Sequence, residues 1–142
     1  MTLHLSGLTP LIQVFDMVRS LDFYVGKLGF EVVAASPEVD APEGRFSRWT
    51  LLRSGVIDLM LNTAYDSGER PELPEAARVL AHADTRFYFG CADLDGGYAE
   101  LTRAGLAIEA PLRAGYGLRR FSVFDPDNFE IVFQELGCDV AG

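Results

Sequence analysis

The stretch YGLRRFSVFDPDNFEIVFQ, Tyr116 to Gln134, decides how the rest of the chain is read. Apolar and polar residues alternate on both sides of Asp125-Pro126-Asp127-Asn128, which predicts two strands, Leu118 to Phe124 and Phe129 to Glu135, joined by a tight turn. Proline presets one backbone angle of such a turn, the Asp and Asn side chains satisfy local amides, and Asn128 tolerates left-handed geometry. In the second strand Phe129, Ile131 and Phe133 share one face, and Glu130, Val132 and Gln134 the other.

Upstream, IQVFDMVRSLDFYVGKLGFEVV (Ile12 to Val33) carries a different rhythm. Pro10 to Val14 reads as a strand, and Asp16 precedes a helix from about Val18 to Lys27 whose Leu21, Tyr24, Val25 and Leu28 lie on one face. Asp16 is expected to cap that helix, Gly29 to end it, and Phe23, Tyr24 and Phe30 to pack in the core. Phe30 to Ala35 follows as a strand and Ser36 to Gly44 as an acidic, Pro-containing loop. Arg45 to Arg53 and Val56 to Asn62 then form a hairpin turning at Ser54-Gly55. Residues 63–84 form a polar linker, with a short helix in PEAARVLAHA that Pro74 opens. The plan then repeats: strand Thr85 to Cys91, Asp93 as cap, helix Leu94 to Ala104, Gly105 as terminator and strand Leu106 to Ala110, before the hairpin of the opening stretch.

These two segments together resemble the vicinal oxygen chelate superfamily, which holds glyoxalase I, extradiol dioxygenases, and the bleomycin and fosfomycin resistance proteins. Family members often carry glycine where Asn128 stands. The resemblance implies an α+β fold of two βαβββ modules forming a cupped mixed β-sheet, about 8–62 and 85–135, in one domain spanning 1–142. It also implies a homodimer. Some members chelate a metal and others bind a ligand without one, so the residues at the ligand positions decide what to expect.

Composition limits the functions further. A 142-residue chain with 49% hydrophobic residues suits one domain with a real core. A net charge of -9 with scattered arginines argues against nucleic acid and favours cationic small molecules at long range. No basic segment followed by an apolar run opens the chain and no stretch nears the length of a membrane span, so the expectation is a cytoplasmic protein with no membrane partner. Cys91 and Cys138 show neither zinc spacing nor a disulfide framework and read as reduced thiols. His4 and His82 read as surface residues, and no nucleophile elbow, phosphate loop or dinucleotide fingerprint occurs.

Strand parity separates an apolar face (Ile12, Val14, Leu59, Leu61, Phe87, Phe89) from a mixed one. The mixed face carries Thr9, Leu11 and Gln13, then Asp58 and Met60, then Arg86, Tyr88 and Val132. Interleaved apolar and polar groups are what a ligand cavity needs, so these eight are the expected ligand-binding residues. In metal-using relatives four ligands come from the concave side. By the spacing that the resemblance implies, those positions are Thr9, Asp58, Arg86 and Val132, of which only Asp58 is a competent donor. The expectation is therefore a protein with no metal or other cofactor that sequesters a cationic or aromatic drug or metabolite. The alternative is a metal-dependent lyase, isomerase or dioxygenase of the same superfamily. Arg86 and Asp58 are read either as a carboxylate-binding cation with its neighbour or as an ordinary charge pair at a cleft rim. Trp49 has no assigned facing.

Overall fold

The computed structural model describes residues 3–136, so Cys138 lies outside the described residues. The chain divides into two compact units, Met1–Leu73 and Pro74–Gly142. Both carry the same arrangement, a strand, a helix and a mixed four-stranded sheet, which makes the class α+β.

In the first unit β1 (Leu11–Val14) leads to α1 (Met17–Leu21). Asp16 caps α1 by accepting a hydrogen bond from the Arg19 amide at 3.2 Å, as expected. The predicted helix to Lys27 changes character at Asp22 and continues to Lys27 as a π-helical turn. The sequence neighbours Phe23 and Tyr24 are both buried on this turn. Gly29 ends it at φ +83°. Then come β2 (Glu31–Ala35), a small hairpin of β3 (Glu38–Ala41) and β4 (Gly44–Ser47), β5 (Trp49–Ser54) and β6 (Ile57–Thr63). The segment expected as an acidic loop is thus partly strand, because Arg45 ties Glu38 and Asp40 across the β3–β4 pair. The sheet order is β1-β6-β5-β2, with β1 parallel to β6. Ser54 pairs with Ile57, so the loop between β5 and β6 is Gly55-Val56 rather than the expected Ser54-Gly55. Gly55, at φ +59°, supplies the left-handed residue that a two-residue loop requires.

The second unit opens with α2 (Ala76–Ala81) and a short 3-10 turn, His82–Asp84. Glu75 occupies the cap position of α2, so Pro74 stands outside the helix rather than opening it. After β7 (Arg86–Cys91), α3 (Leu94–Arg103) is capped by Asp93, which accepts from the Gly96 amide at 3.0 Å. A Cβ at Gly96 would stand 2.1 Å from Asp93 Oδ2, so the cap depends on glycine there. The expected strand Leu106 to Ala110 does not form. Only β8 (Leu112–Arg113) pairs with β9 (Arg119–Phe124), and β9 in turn pairs with β10 (Glu130–Glu135), giving the order β7-β10-β9-β8.

The DPDN turn holds this sheet at one end. The Asp125 carboxylate is buried and accepts from the amides of Asp127 (2.9 Å) and Phe129 (2.8 Å), while Asn128 takes φ +70°. His82 belongs to this turn and is not a free surface residue. Its ring stacks on Phe129 at 4.0 Å and its Nδ1–H donates to the Asp127 carbonyl at 2.7 Å. Arg78 of α2 adds an ion pair to the buried Asp127 carboxylate.

Candidate functional site

Paired residues across a ladder point to the same side, so the strand registers test the parity reading directly. In the first unit Leu11, Met60 and Leu51 form one cross-strand row, and Gln13, Asn62 and Trp49 the next. Trp49 therefore lies on the mixed face. Ile12, Leu61 and Thr50 form a row of the opposite, buried face. Thr9 is exposed and precedes β1, so no ladder fixes its direction. Asp58 sits opposite Arg53 and receives two hydrogen bonds from it, 2.7 and 3.1 Å, in a forked pair. The Arg53 guanidinium holds the Asp58 carboxyl below its ordinary value.

In the second unit the mixed face runs Arg86–Glu130–Phe124, Tyr88–Val132–Ser122 and Gly90–Gln134–Arg120. Arg86 contacts the Glu130 carboxylate, whose Oε2 is buried. Asp58 and Arg86 therefore each have an oppositely charged partner inside their own unit, Arg53 and Glu130, rather than each other. Tyr88 is half exposed and presents its ring and hydroxyl, whereas Val132 is fully buried and backs the face without offering surface. The Tyr116 hydroxyl bonds the Gln134 amide oxygen.

A cavity of about 460 Å³ opens in this second unit, between strand β9 and the segment 107–112, which is unpaired up to residue 111. Arg120, Ser122 and Phe124 line it from the mixed face, with Glu130 at one side and Leu112 and Glu109 at the other. Phe121 and Val123 point to the buried face, so they contribute backbone to the wall. The sequence reading missed Arg120, Ser122 and Phe124 because it sorted only four strands by parity and filled the space with a strand at Leu106 to Ala110. Parity applied to Leu118 to Phe124 would have found them. The volume lies within the 300–1,000 Å³ range of small-molecule pockets, and the lining mixes donors with apolar area.

The metal-ligand positions do not fit a divalent cation. Val132 has no donor, Arg86 brings a positive charge, Thr9 is exposed outside the sheet, and the one competent donor, Asp58, is engaged by Arg53. Among the described residues no group of three His, Cys, Asp or Glu side chains is placed to hold a metal ion. No helix of the described residues is long and apolar enough to cross a membrane.

Solved structures share the fold. An antibiotic binding protein, TnmS3, from Streptomyces sp. CB03234 is 22% identical, with TM-score 0.66, covering 96% of this chain and 100% of its own. The bleomycin resistance determinant encoded on the transposon Tn5 is 21% identical, TM-score 0.68, covering 92% of this chain and 98% of its own. A bleomycin-binding protein solved in complex with bleomycin is 20% identical, TM-score 0.68, covering 94% and 100%. No curated protein sequence matches the chain. The family model of the Glyoxalase/Bleomycin resistance protein/Dioxygenase superfamily matches residues 4–133, from before β1 through the DPDN turn and into β10, and the chain belongs to that superfamily.

Proposed function

We propose that the protein binds a small, partly apolar organic molecule without a metal and without altering it, in the manner of a sequestering or resistance protein. The observation that carries this reading is the half-polar cavity of about 460 Å³ in the second unit. Two further facts support it: the metal-ligand positions lack a usable donor set, and two solved proteins of this fold are named for binding antibiotics. The mixed sheet faces are the proposed contact surfaces, Thr9, Leu11, Gln13, Asp58 and Met60 in one unit and Arg86 and Tyr88 in the other, with Val132 behind them. The acting form is a homodimer of single-domain chains, each with its modules at about 8–62 and 85–135.

A panel of aromatic and amphipathic ligands, cationic antibiotics among them, is titrated calorimetrically into wild type, the sheet-face variants Asp58→Asn, Arg86→Ala and Tyr88→Ala, and the cavity variant Phe124→Ala. Saturable binding is expected, weakened more than about threefold, roughly 0.65 kcal/mol, by at least one substitution. Elemental analysis of the purified protein is expected to find no stoichiometric transition metal. About one chelator-removable metal per chain, lost together with an activity, would refute the reading and favour the metal-dependent enzyme.

A further inference from the structure

The cavity of the second unit has a chemical preference that the acidity of the whole chain conceals. We propose that it takes the carboxylate of an aromatic or aliphatic acid, with the Arg120 guanidinium as counter-ion. This assignment rests on the small-molecule reading above and names the ligand class.

Among the described residues, Arg103 and Arg120 of the second unit's arginines have no ion pair, and only Arg120 lines the cavity, Arg103 being exposed on α3. Arg78 is tied to Asp127, Arg86 to Glu130, Arg113 to Glu135 and Arg119 to Asp95. Arg120 is half-buried and lines the cavity, and its guanidinium has no carboxylate or hydrogen-bond partner among the described residues. A chain with 21 acidic and 12 basic side chains has carboxylates to spare, yet this guanidinium is left to whatever enters. A carboxylate binds such a group through two parallel hydrogen bonds. One guanidinium neutralises one charge, so a monoanion fits better than a phosphate.

The strand edge supplies more donors. Asp125 donates its amide to Phe129 on the β10 side, so Val123 and Phe121, at period two, turn their amides the same way. Leu118 turns its carbonyl to the β8 side, where it accepts from Ala114. By the same alternation Ser122 and Phe124 turn their N–H groups toward segment 107–112. That segment makes no ladder there, since β8 reaches only Arg119 and Arg120. The cavity thus occupies the place of a missing strand and is lined by two backbone donors, the Ser122 hydroxyl and Arg120. Ser122 and Arg120 lie on one face about 7 Å apart along β9. Leu112 and Phe124, both largely exposed, supply apolar area for the body of the acid.

Two acidic side chains border the space. Glu130 is held by Arg86, and Glu109 is exposed on the outer wall. The remaining negative charge of the chain acts over distances that salt screens within about 8 Å, so the groups in contact decide.

The test titrates 2-naphthoate, 2-naphthamide and 2-naphthylmethylamine into wild type, Arg120→Met, Arg120→Lys and Glu109→Gln by calorimetry, with circular dichroism confirming each fold. Wild type is expected to bind the naphthoate at least about tenfold more tightly than either analogue. Arg120→Met should remove that preference while leaving naphthamide affinity within about twofold, Arg120→Lys should keep part of it, and Glu109→Gln should strengthen it. Amide shifts on naphthoate binding should fall on 107–112 and 120–124. Equal affinity for naphthoate and naphthamide, or an Arg120→Met variant that retains the preference, overturns the proposal. Binding of the amine or of a panel ligand without the acid overturns it while the small-molecule reading survives. If neither probes nor panel bind, both fall.

Discussion

Replacing Asp125 by alanine tests the turn that sets one wall of the cavity. Its buried carboxylate accepts two backbone amides, at 2.9 and 2.8 Å, and both lose their acceptor in the variant. A hydrogen bond to a charged group contributes about 1.5–3 kcal/mol, so two give about 3–6 kcal/mol. Water entering the vacated space offsets some of this, leaving an expected loss of about 3–5 kcal/mol. Asp125→Asn keeps an oxygen at the same place and should cost only about 1 kcal/mol. Urea denaturation at pH 7, followed by far-ultraviolet circular dichroism, measures both. With a slope of about 2 kcal/mol/M the alanine variant should unfold about 1.5–2.5 M earlier at an unchanged slope. An alanine variant within about 1 kcal/mol of wild type, or an asparagine variant as damaged as the alanine one, would refute the assignment of these amides to the carboxylate.

Further outcomes follow from other contacts. His82→Ala should cost about 1–3 kcal/mol through the lost ring stacking and the lost bond to the Asp127 carbonyl, and His82→Phe about half of that; a cost near zero in thermal melts would return His82 to the surface. Arg53 holds the Asp58 carboxyl below its ordinary 3.8, so the pair stabilises the fold at neutral pH and stops doing so as pH falls through the lowered value. The melting-temperature gap between wild type and Asp58→Asn should therefore be steady near pH 7 and close under strongly acid conditions; a gap that widens on acidification would contradict this. Light scattering should give twice the 15.6 kDa chain mass at micromolar concentration, and the mass of a single chain would count against the dimer.

Local chemistry made much of the fold legible. Asp16 and Asp93 cap helices because their neighbours begin apolar helical patterns, and Gly29 and Gly105 end them with φ of +83° and +94°. Period-two alternation separated the faces, as the β1–β6 and β7–β10 registers bear out. Partner choice was less legible, for a geometric reason. Moving the β5–β6 loop from Ser54-Gly55 to Gly55-Val56 changes every cross-strand pair by two positions and sets Asp58 opposite Arg53. The wall was misread because the apolar residues of Leu106 to Ala110 resemble a strand, whereas pairing with β9 begins only at Leu112. His82 was misjudged because a lone polar residue in a short helix carries no mark of the aromatic ring that covers it.

The sheet orders also bear on synthesis. Among the described residues the only sheet neighbour of β1 is β6, and that of β7 is β10, so each unit makes its first strand before that neighbour exists. About 40 residues separate Val14 from Ile57, and at ~5–20 residues per second this is a delay of about 2–8 s on the ribosome. During it Ile12 and Val14, and later Phe87 and Phe89, travel as unpaired apolar strands. A nascent chain that stalls before Glu130 therefore leaves β7 without its partner, and such stalled products are the species that chaperones and proteases would meet.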